Sequence, residues 1–405
     1  MRTYNVGFIA CGARNRVYAR NLRRQYGEQI HIIALCDTNP GAAEDFKKEF
    51  GHPDTAVYTD FRELIKRHHQ SLDGLLIAPP NHLHEEPAVM AFEYGIHTLL
   101  EKPLAHTPES CNRIAKAYNN STSRVTMGFV LRYTPFYRTV MNMVYKEKVG
   151  QVKTLYADEI AGPVLSSVFF RTWRGKKAYT GDLLLEKCCH DLDLINTILG
   201  VNPTRVSAFG QRDHYLPVQG WGPRCKECPE QDTCAYSTVL WGRTIDKSIE
   251  NGQYEYVDFS NDKCVYNDEH DVMDRQSQLI EYEGGILASF SVALGGPQHR
   301  RSIDITGTQG RLIGDFAANR ILFYPMGAET AEEVQIEHEQ SGHGGGDSVI
   351  TRSFIESLDN PNHVSDAKLK DALKSALLAF LCDEARDRGE AVPVTFIEDV
   401  EAIRN

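Results

Sequence analysis

From residue 4 to about 130, short apolar runs alternate with amphipathic segments of helical period. YNVGFIA, IHIIALCD, AVYTD, GLLIAPP, HTLLEK and RVTMGFV read as strands, because short runs rich in apolar and β-branched residues are bounded by turn formers. Between them GAAEDFKKEFG, FRELIKRHH, HEEPAVMAFEYG and TPESCNRIAKAYNN place apolar residues three and four apart. Several close on Gly or Asn, residues that end helices. Repeated strand–helix–strand order predicts a doubly wound parallel sheet.

Beyond residue 130 the runs lengthen and the intervening helices thin out. QVKTLYADEI, TRVSAFGQRD, RQSQLIEYEGGILASFSVALGG, RSIDITGTQGRLIGDF and RILFYP predict a large, mostly antiparallel sheet, with EGG and GTQG as turns. One clear helix, GDLLLEKCCHDLDLINTILG, interrupts it, and the chain closes with helical SVITRSFIESL and DAKLKDALKSALLAFLCDEARDRG. The expected organisation is therefore α/β in two domains, 1–129 and 130–405, in keeping with a length beyond a usual single core.

Composition adds exclusions. A net charge of −11 argues against nucleic-acid or membrane-surface partners, which call for a basic excess. The N-terminal apolar stretch is too short for a signal peptide and no later run approaches a membrane span, so the expectation is a cytoplasmic protein with a small-molecule partner. Ten cysteines in 405 residues do not make a disulfide scaffold.

The opening stretch YNVGFIACGARNRVYARNL has the shape of a dinucleotide-binding turn, where main-chain N–H groups and a helix start face a pyrophosphate. In the G-x-G-x-x-G frame Gly12 holds the second place, but Ala10 takes the first and Asn15 the third, with Ala13 and Arg14 between. Asn tolerates unusual backbone angles better than most residues. Asp37 ends the second strand 25 residues past Gly12, where a carboxylate would accept from a ribose, which favours NAD over NADP. In CDTNPG it also reads as a plain turn residue.

The segment DGLLIAPPNHLHEEPAVMAFEYGIHTLLEKPLAHTPESC, residues 73–111, carries a resemblance. Its PPNHLH and EKPLA resemble signatures of the Gfo/Idh/MocA family, the glucose-fructose oxidoreductase and inositol dehydrogenase group. The likeness continues through GFVLRYTPFY, the helix GDLLLEKCCHDLDLINTILG, HDVMDRQSQLIEYEGGILASFSV and GTQGRLIGDF, and so spans nearly the whole chain. It implies an N-terminal Rossmann domain that binds a nicotinamide dinucleotide, and a C-terminal α/β domain whose open sheet serves in homo-oligomerisation as dimer or tetramer. It implies hydride transfer at a carbinol of a sugar or polyol.

Such chemistry needs a polarising cation and a base at one carbinol. By resemblance Lys102, with Glu101 in EKP, follows the fifth strand and touches the reacting hydroxyl and the nicotinamide region, while Pro79, Asn81 and His84 line the nicotinamide edge. Asn81 also suits a helix N-cap. On the later helix Glu186, His190 and Asp193 share one face by spacing, above a stripe of Leu185, Cys188, Leu192, Ile195 and Leu199. His190 matches the family's catalytic histidine, Glu186 is assigned a substrate hydroxyl, and Lys187 is left between pairing a carboxylate and facing water. Arg132 and Tyr133, Arg171, Trp173 and Arg174 in FFRTWRGKK, and His343 in SGHGGGDS are candidate substrate contacts, with packing or loop roles as the alternative. Asp347 is placed to cap the helix that follows.

RCKECPEQDTC sets Cys225, Cys228 and Cys234 as C-x2-C-x5-C, and Cys264 offers a fourth thiolate. Four soft ligands in this split suit structural zinc, an iron–sulfur cluster, or free thiols. Three functions stand at this point: an NAD-dependent dehydrogenase of a sugar, polyol or glycoside; a glycosidase that oxidises, eliminates and regenerates NAD, with Tyr133, Tyr179 or His343 as second base; and a non-catalytic sugar or NAD sensor.

Overall fold

The computed structural model describes residues 2–244, 260–337, 342–360 and 362–404. Along the first third of the chain run β1 (Tyr4–Ile9), α1 (Ala13–Tyr26), β2 (Ile30–Cys36), α2 (Pro40–Phe50), β3 (Ala56–Tyr58), α3 (Phe61–His68), β4 (Gly74–Ile77), α4 (Glu85–Glu93), β5 (His97–Leu100), α5 (Pro108–Asn119) and β6 (Val125–Met127). Among the described residues these strands form a six-stranded parallel sheet in the order β3-β2-β1-β4-β5-β6. The order reverses between β1 and β4, the switch point at which doubly wound sheets bind ligands. Strand β4 is buried at every position, as expected of a parallel strand covered on both faces. The helix starts follow local chemistry: Asn39, Asp60 and Thr107 accept from the first-turn N–H groups of α2, α3 and α5, and Pro40 and Pro108 sit where a missing N–H costs nothing.

The middle of the chain continues with α6 (Pro135–Tyr145), β7 (Val152–Ala161), α7 (Pro163–Arg171), α8 (Lys177–Thr180), α9 (Leu183–Leu199), β8 (Pro203–Gln211), α10 (Thr238–Thr244), β9 (Arg275–Tyr282), β10 (Ile286–Leu294), β11 (Arg300–Gly307), β12 (Gly310–Asp315), β13 (Arg320–Pro325) and β14 (Glu332–Val334). Then come α11 (Gly346–Asp359), α12 (Leu369–Arg388), β15 (Val392–Pro393) and α13 (Ile397–Glu401). Among the described residues a nine-stranded sheet results, in the order β14-β13-β12-β11-β7-β10-β9-β8-β15. Its pairs are antiparallel except β7 with β10, which run parallel over eight residues. The α/β class and the mostly antiparallel second sheet are as the hydrophobic pattern predicts. Helix α7 is one that the pattern does not announce: PVLSSVFFR is apolar nearly throughout, and periodicity cannot separate a buried helix from a strand in so short a run.

The chain falls into two compact units. The first comprises 1–138, 338–377 and 396–405, and the second 139–337 and 378–395. In the second, β9 alternates buried and exposed residues along most of its length, with Gln276, Gln278, Ile280 and Tyr282 inward. One sheet face is thereby covered by helices such as α9, and the other is open. Among the described residues no helix is long and apolar enough to cross a membrane.

Candidate functional site

The turn after β1 answers the question raised by the missing glycines. Ala10 adopts φ +68°, the left-handed region in which a Cβ costs roughly 1–2 kcal/mol. That is a glycine's conformation held by an alanine. Asn15 needs no special backbone angle, since it lies within α1; its buried amide Nδ2 donates to the carbonyls of Ile9 (2.9 Å) and Ala10 (2.6 Å) and so ties the strained turn to the helix. Around them Ala10 N–H donates to the Cys36 carbonyl (2.8 Å), and Cys11 N–H to the Asp37 carboxylate (2.7 Å). Gly12 has ordinary dihedrals, but a Cβ there would meet nothing within 4 Å, and α1 starts on it without a side-chain cap. An uncapped helix start facing open space suits an anion, so the turn fits a dinucleotide pyrophosphate. Asp37 stands one strand away with its second oxygen on the Asn39 N–H (2.8 Å).

Arg14 is gripped from three sides. Its Nε meets Glu101 (2.6 Å), one terminal nitrogen meets Asp347 (2.6 Å), and the other donates to the Tyr18 hydroxyl (2.8 Å), with the guanidinium carbon 4.1 Å from the centre of the Tyr18 ring. Tyr18 in turn donates to Glu101, whose other oxygen accepts the Lys102 N–H (2.9 Å). Both carboxylates are buried. Burial pushes their pKa values up, but Arg14, aided by Tyr18 and Lys102 at Glu101 and by His343 at Asp347, holds both below the usual range. Two fixed negative charges beside a pyrophosphate turn would repel the ligand; Arg14, shared between them, offsets half of that charge. Gly128 belongs to the same cluster, because a Cβ on it would stand 2.8 Å from the Glu101 carboxyl carbon.

In the second unit α9 starts from Asp182 as its N-cap and ends on Gly200 in the left-handed conformation. Asp182 accepts from Leu183 N–H (2.7 Å) and Met273 N–H (2.8 Å) and pairs with Lys177 and Arg386. The helix is buried on nearly every side, so its charges need partners. Glu186 takes Arg174 Nε (2.9 Å), with the Arg174 guanidinium stacked 4.6 Å from the Trp173 ring. Lys187 pairs with Glu159 (2.7 Å), which settles the choice left open for it. Arg301 bridges Glu159 and Asp191. His190 and Asp193 are both buried on this helix.

Comparison with known proteins decides what this arrangement belongs to. The family described as "Oxidoreductase family, NAD-binding Rossmann fold" (GFO_IDH_MocA) matches residues 4–129, and its "C-terminal alpha/beta domain" matches 142–396. The chain belongs to this Gfo/Idh/MocA family. YteT of Bacillus subtilis is 26% identical over 382 residues, 87% of this chain and 89% of its own length. The inositol 2-dehydrogenase of Burkholderia multivorans is 27% identical over 200 residues, 49% of this chain and 55% of that enzyme. Among solved structures, levoglucosan dehydrogenase in complex with NADH and L-sorbose superposes with a TM-score of 0.76 at 18% identity, covering 98% of this chain and 100% of that one. At that identity the likeness speaks for the fold.

Within this Gfo/Idh/MocA chain the other candidate residues are placed as follows. Lys102 follows β5, half-buried, next to Glu101. Pro79 and His84 are joined: His84 turns one ring nitrogen to the Pro79 carbonyl and the other to that of Pro103, both at 2.9 Å, so its ring braces two loops, and burial lowers its pKa. Asn81 opens a short 3-10 turn and does not cap α4, whose first residue follows His84. Arg132 donates to the Asp366 carbonyl (2.6 Å) and pairs with Asp371 (3.0 Å); the Tyr133 hydroxyl meets Ser365 (2.8 Å). Both side chains are buried in the first unit's own packing. Arg171 points away from Glu186 and into the cysteines, described below.

His343 and Asp347 differ from expectation most. Asp347 does not cap α11, which starts from Gly345 without a side-chain cap; its carboxylate is taken by Arg14 and by His343 Nδ1 (2.9 Å). A strong charge partner outcompetes the helix N–H groups for it. The sequence offered no signal for this clamp, because Arg14 and Asp347 are 333 residues apart. Tyr18, one turn beyond Arg14, could have been read from helical spacing.

Proposed function

We propose that this protein is an NAD-dependent dehydrogenase acting on a carbinol of a sugar, polyol or glycoside. The observation that carries the reading is the turn after β1, where an uncapped helix start beside Gly12 opens onto free space and Asp37 is bonded to the Cys11 N–H. Gly12, Ala13 and the first N–H groups of α1 would hold the pyrophosphate and Asp37 the adenosine ribose, which selects NAD over NADP. When bound, the nicotinamide supplies the hydride acceptor. Lys102 is assigned the part of the polarising cation and His190 that of the base in this reaction. Glu186, fixed by Arg174, orients a neighbouring hydroxyl. The substrate classes of the named relatives, inositol and levoglucosan, support a carbohydrate substrate.

The open face of the nine-stranded sheet supports assembly with a second copy. Tyr156, Phe209, Leu279 and Leu287 lie on β7, β8, β9 and β10 with 53%, 76%, 52% and 45% of their surface exposed. Large apolar side chains exposed on four neighbouring strands favour an interface there.

The deciding experiment incubates the purified protein with NAD and a panel of free sugars, polyols and nitrophenyl glycosides, with product mass spectrometry and NADH quantified together. The expected result is keto product matched by NADH, falling about 10²–10⁴-fold in Lys102→Met and His190→Asn. Aglycone release without NADH, or full activity in either variant, would overturn the assignment.

A further inference from the structure

We propose that Cys225, Cys228, Cys234 and Cys264 form a single-ion structural zinc site that fastens the end of α7. All four are reduced, and together they line one cavity with Arg171. Backbone pairing builds the convergence. Arg224 and Lys263 form an antiparallel bridge, Cys225 N–H donates to the Asp262 carbonyl (2.7 Å), and Cys264 N–H donates to the Pro223 carbonyl (2.8 Å). The knuckle curls so that Cys228 N–H reaches the Cys225 carbonyl, and Tyr236 N–H donates to Cys234 Sγ (3.4 Å).

The buried Arg171 is an independent pointer to thiolates. Only 4% exposed, it sends one terminal nitrogen to Cys225 Sγ (3.4 Å) and to the Tyr236 carbonyl, while its other terminal nitrogen has no hydrogen-bond partner among the described residues. Burying a guanidinium against four neutral thiols would strand its charge. Four thiolates around Zn²⁺ carry a net charge of −2, which that cation offsets. Binding releases four protons to water, one from each thiol, with no change of oxidation state.

The cavity volume of about 10 Å³ among the four cysteines is room for one ion. Among the described residues the one trio of ligand atoms all within 4.8 Å of one another is Glu159, Cys188 and Asp191, so the knuckle sulfurs stand wider than a tetrahedral site, where they are about 3.8 Å apart. Zinc would draw them together. The tighter trio already holds Lys187 and Arg301, which repel a further cation. At the knuckle the consequence reaches α7: Arg171 Nε donates to the Lys263 carbonyl (2.7 Å), and Asn261 donates to the Arg171 carbonyl (2.8 Å). Arg174, three residues on, holds Glu186.

The test measures metal in the purified full chain by plasma mass spectrometry, alongside replacement by cobalt(II). The expected result is one zinc per chain and, with cobalt, the intense near-ultraviolet thiolate-to-metal band of a sulfur-rich tetrahedral site. Cys228→Ser and Cys264→Ser should each lose the metal, whereas Cys382→Ser, in α12, should keep it. Arg171→Gln should weaken zinc retention against a competing chelator by about 10-fold. Metal-free wild-type protein that gives no cobalt band after equilibration with the ion would overturn the proposal. So would an iron–sulfur chromophore, or zinc retained in both ligand variants.

Discussion

Replacing Asn15 probes how a glycine motif can lose two glycines and keep its shape. In Asn15→Ala the two hydrogen bonds to the Ile9 and Ala10 carbonyls disappear. The Ile9 carbonyl keeps a second donor, the Ala78 N–H at 3.1 Å, so the greater loss falls on Ala10. Two neutral bonds at about 1 kcal/mol each, plus roughly 1 kcal/mol for a carbonyl left unsatisfied, give a destabilisation of about 2–4 kcal/mol. Ala10 then has less to hold it at φ +68°, and release of even ~1 kcal/mol of turn strain before binding would weaken NAD by about fivefold. Urea unfolding measures the first quantity and calorimetric titration with NAD the second. Ala10→Gly added to Asn15→Ala should recover part of the stability, since glycine takes the left-handed conformation freely. A loss below about 0.5 kcal/mol in Asn15→Ala, the range of an uninvolved surface change, would refute the reasoning; so would an unchanged NAD affinity.

Two further outcomes follow from other parts of the molecule. Burial, with Arg124 and Arg404 nearby, lowers the His97 pKa to about 4, and its Nδ1 accepts the Arg124 N–H (3.0 Å). The folded chain therefore keeps His97 neutral while the unfolded chain binds a proton below about pH 6.5, so the stability this histidine contributes above that pH is lost as pH falls from 6.5 towards 4. Thermal unfolding across that window should be less steep in pH for His97→Gln than for the parent, and equal slopes would remove the histidine from the account. On the open sheet, Phe209→Glu with Leu279→Glu should convert the proposed assembly to monomers in sedimentation velocity while leaving the circular dichroism unchanged; an unaltered oligomer would place the interface elsewhere.

What the sequence determined by itself was whatever depends on local period and on short motifs. Alternating apolar runs and helical segments specify the six parallel strands and their helices because the inner strands are largely buried on both faces and the helices on one. Helix α9 was legible from its stripe of Leu185, Cys188, Leu192, Ile195 and Leu199, and Cys225, Cys228 and Cys234 from their spacing. Tertiary structure decided everything that needs partners distant along the chain. Arg14, Glu101 and Asp347 meet only through folding, and their mutual charge compensation redirected Asp347 from helix cap to clamp. Arg171 reads as one of several basic residues in FFRTWRGKK, and only burial beside Cys225 separates it from Arg174, which turns to Glu186. Asn15 shows the division most plainly: the sequence marks a missing glycine, whereas the three-dimensional turn assigns the strain to Ala10 and the restraint to the Asn15 amide. Period and spacing are properties of neighbours in the chain; desolvation and charge pairing act between neighbours in space.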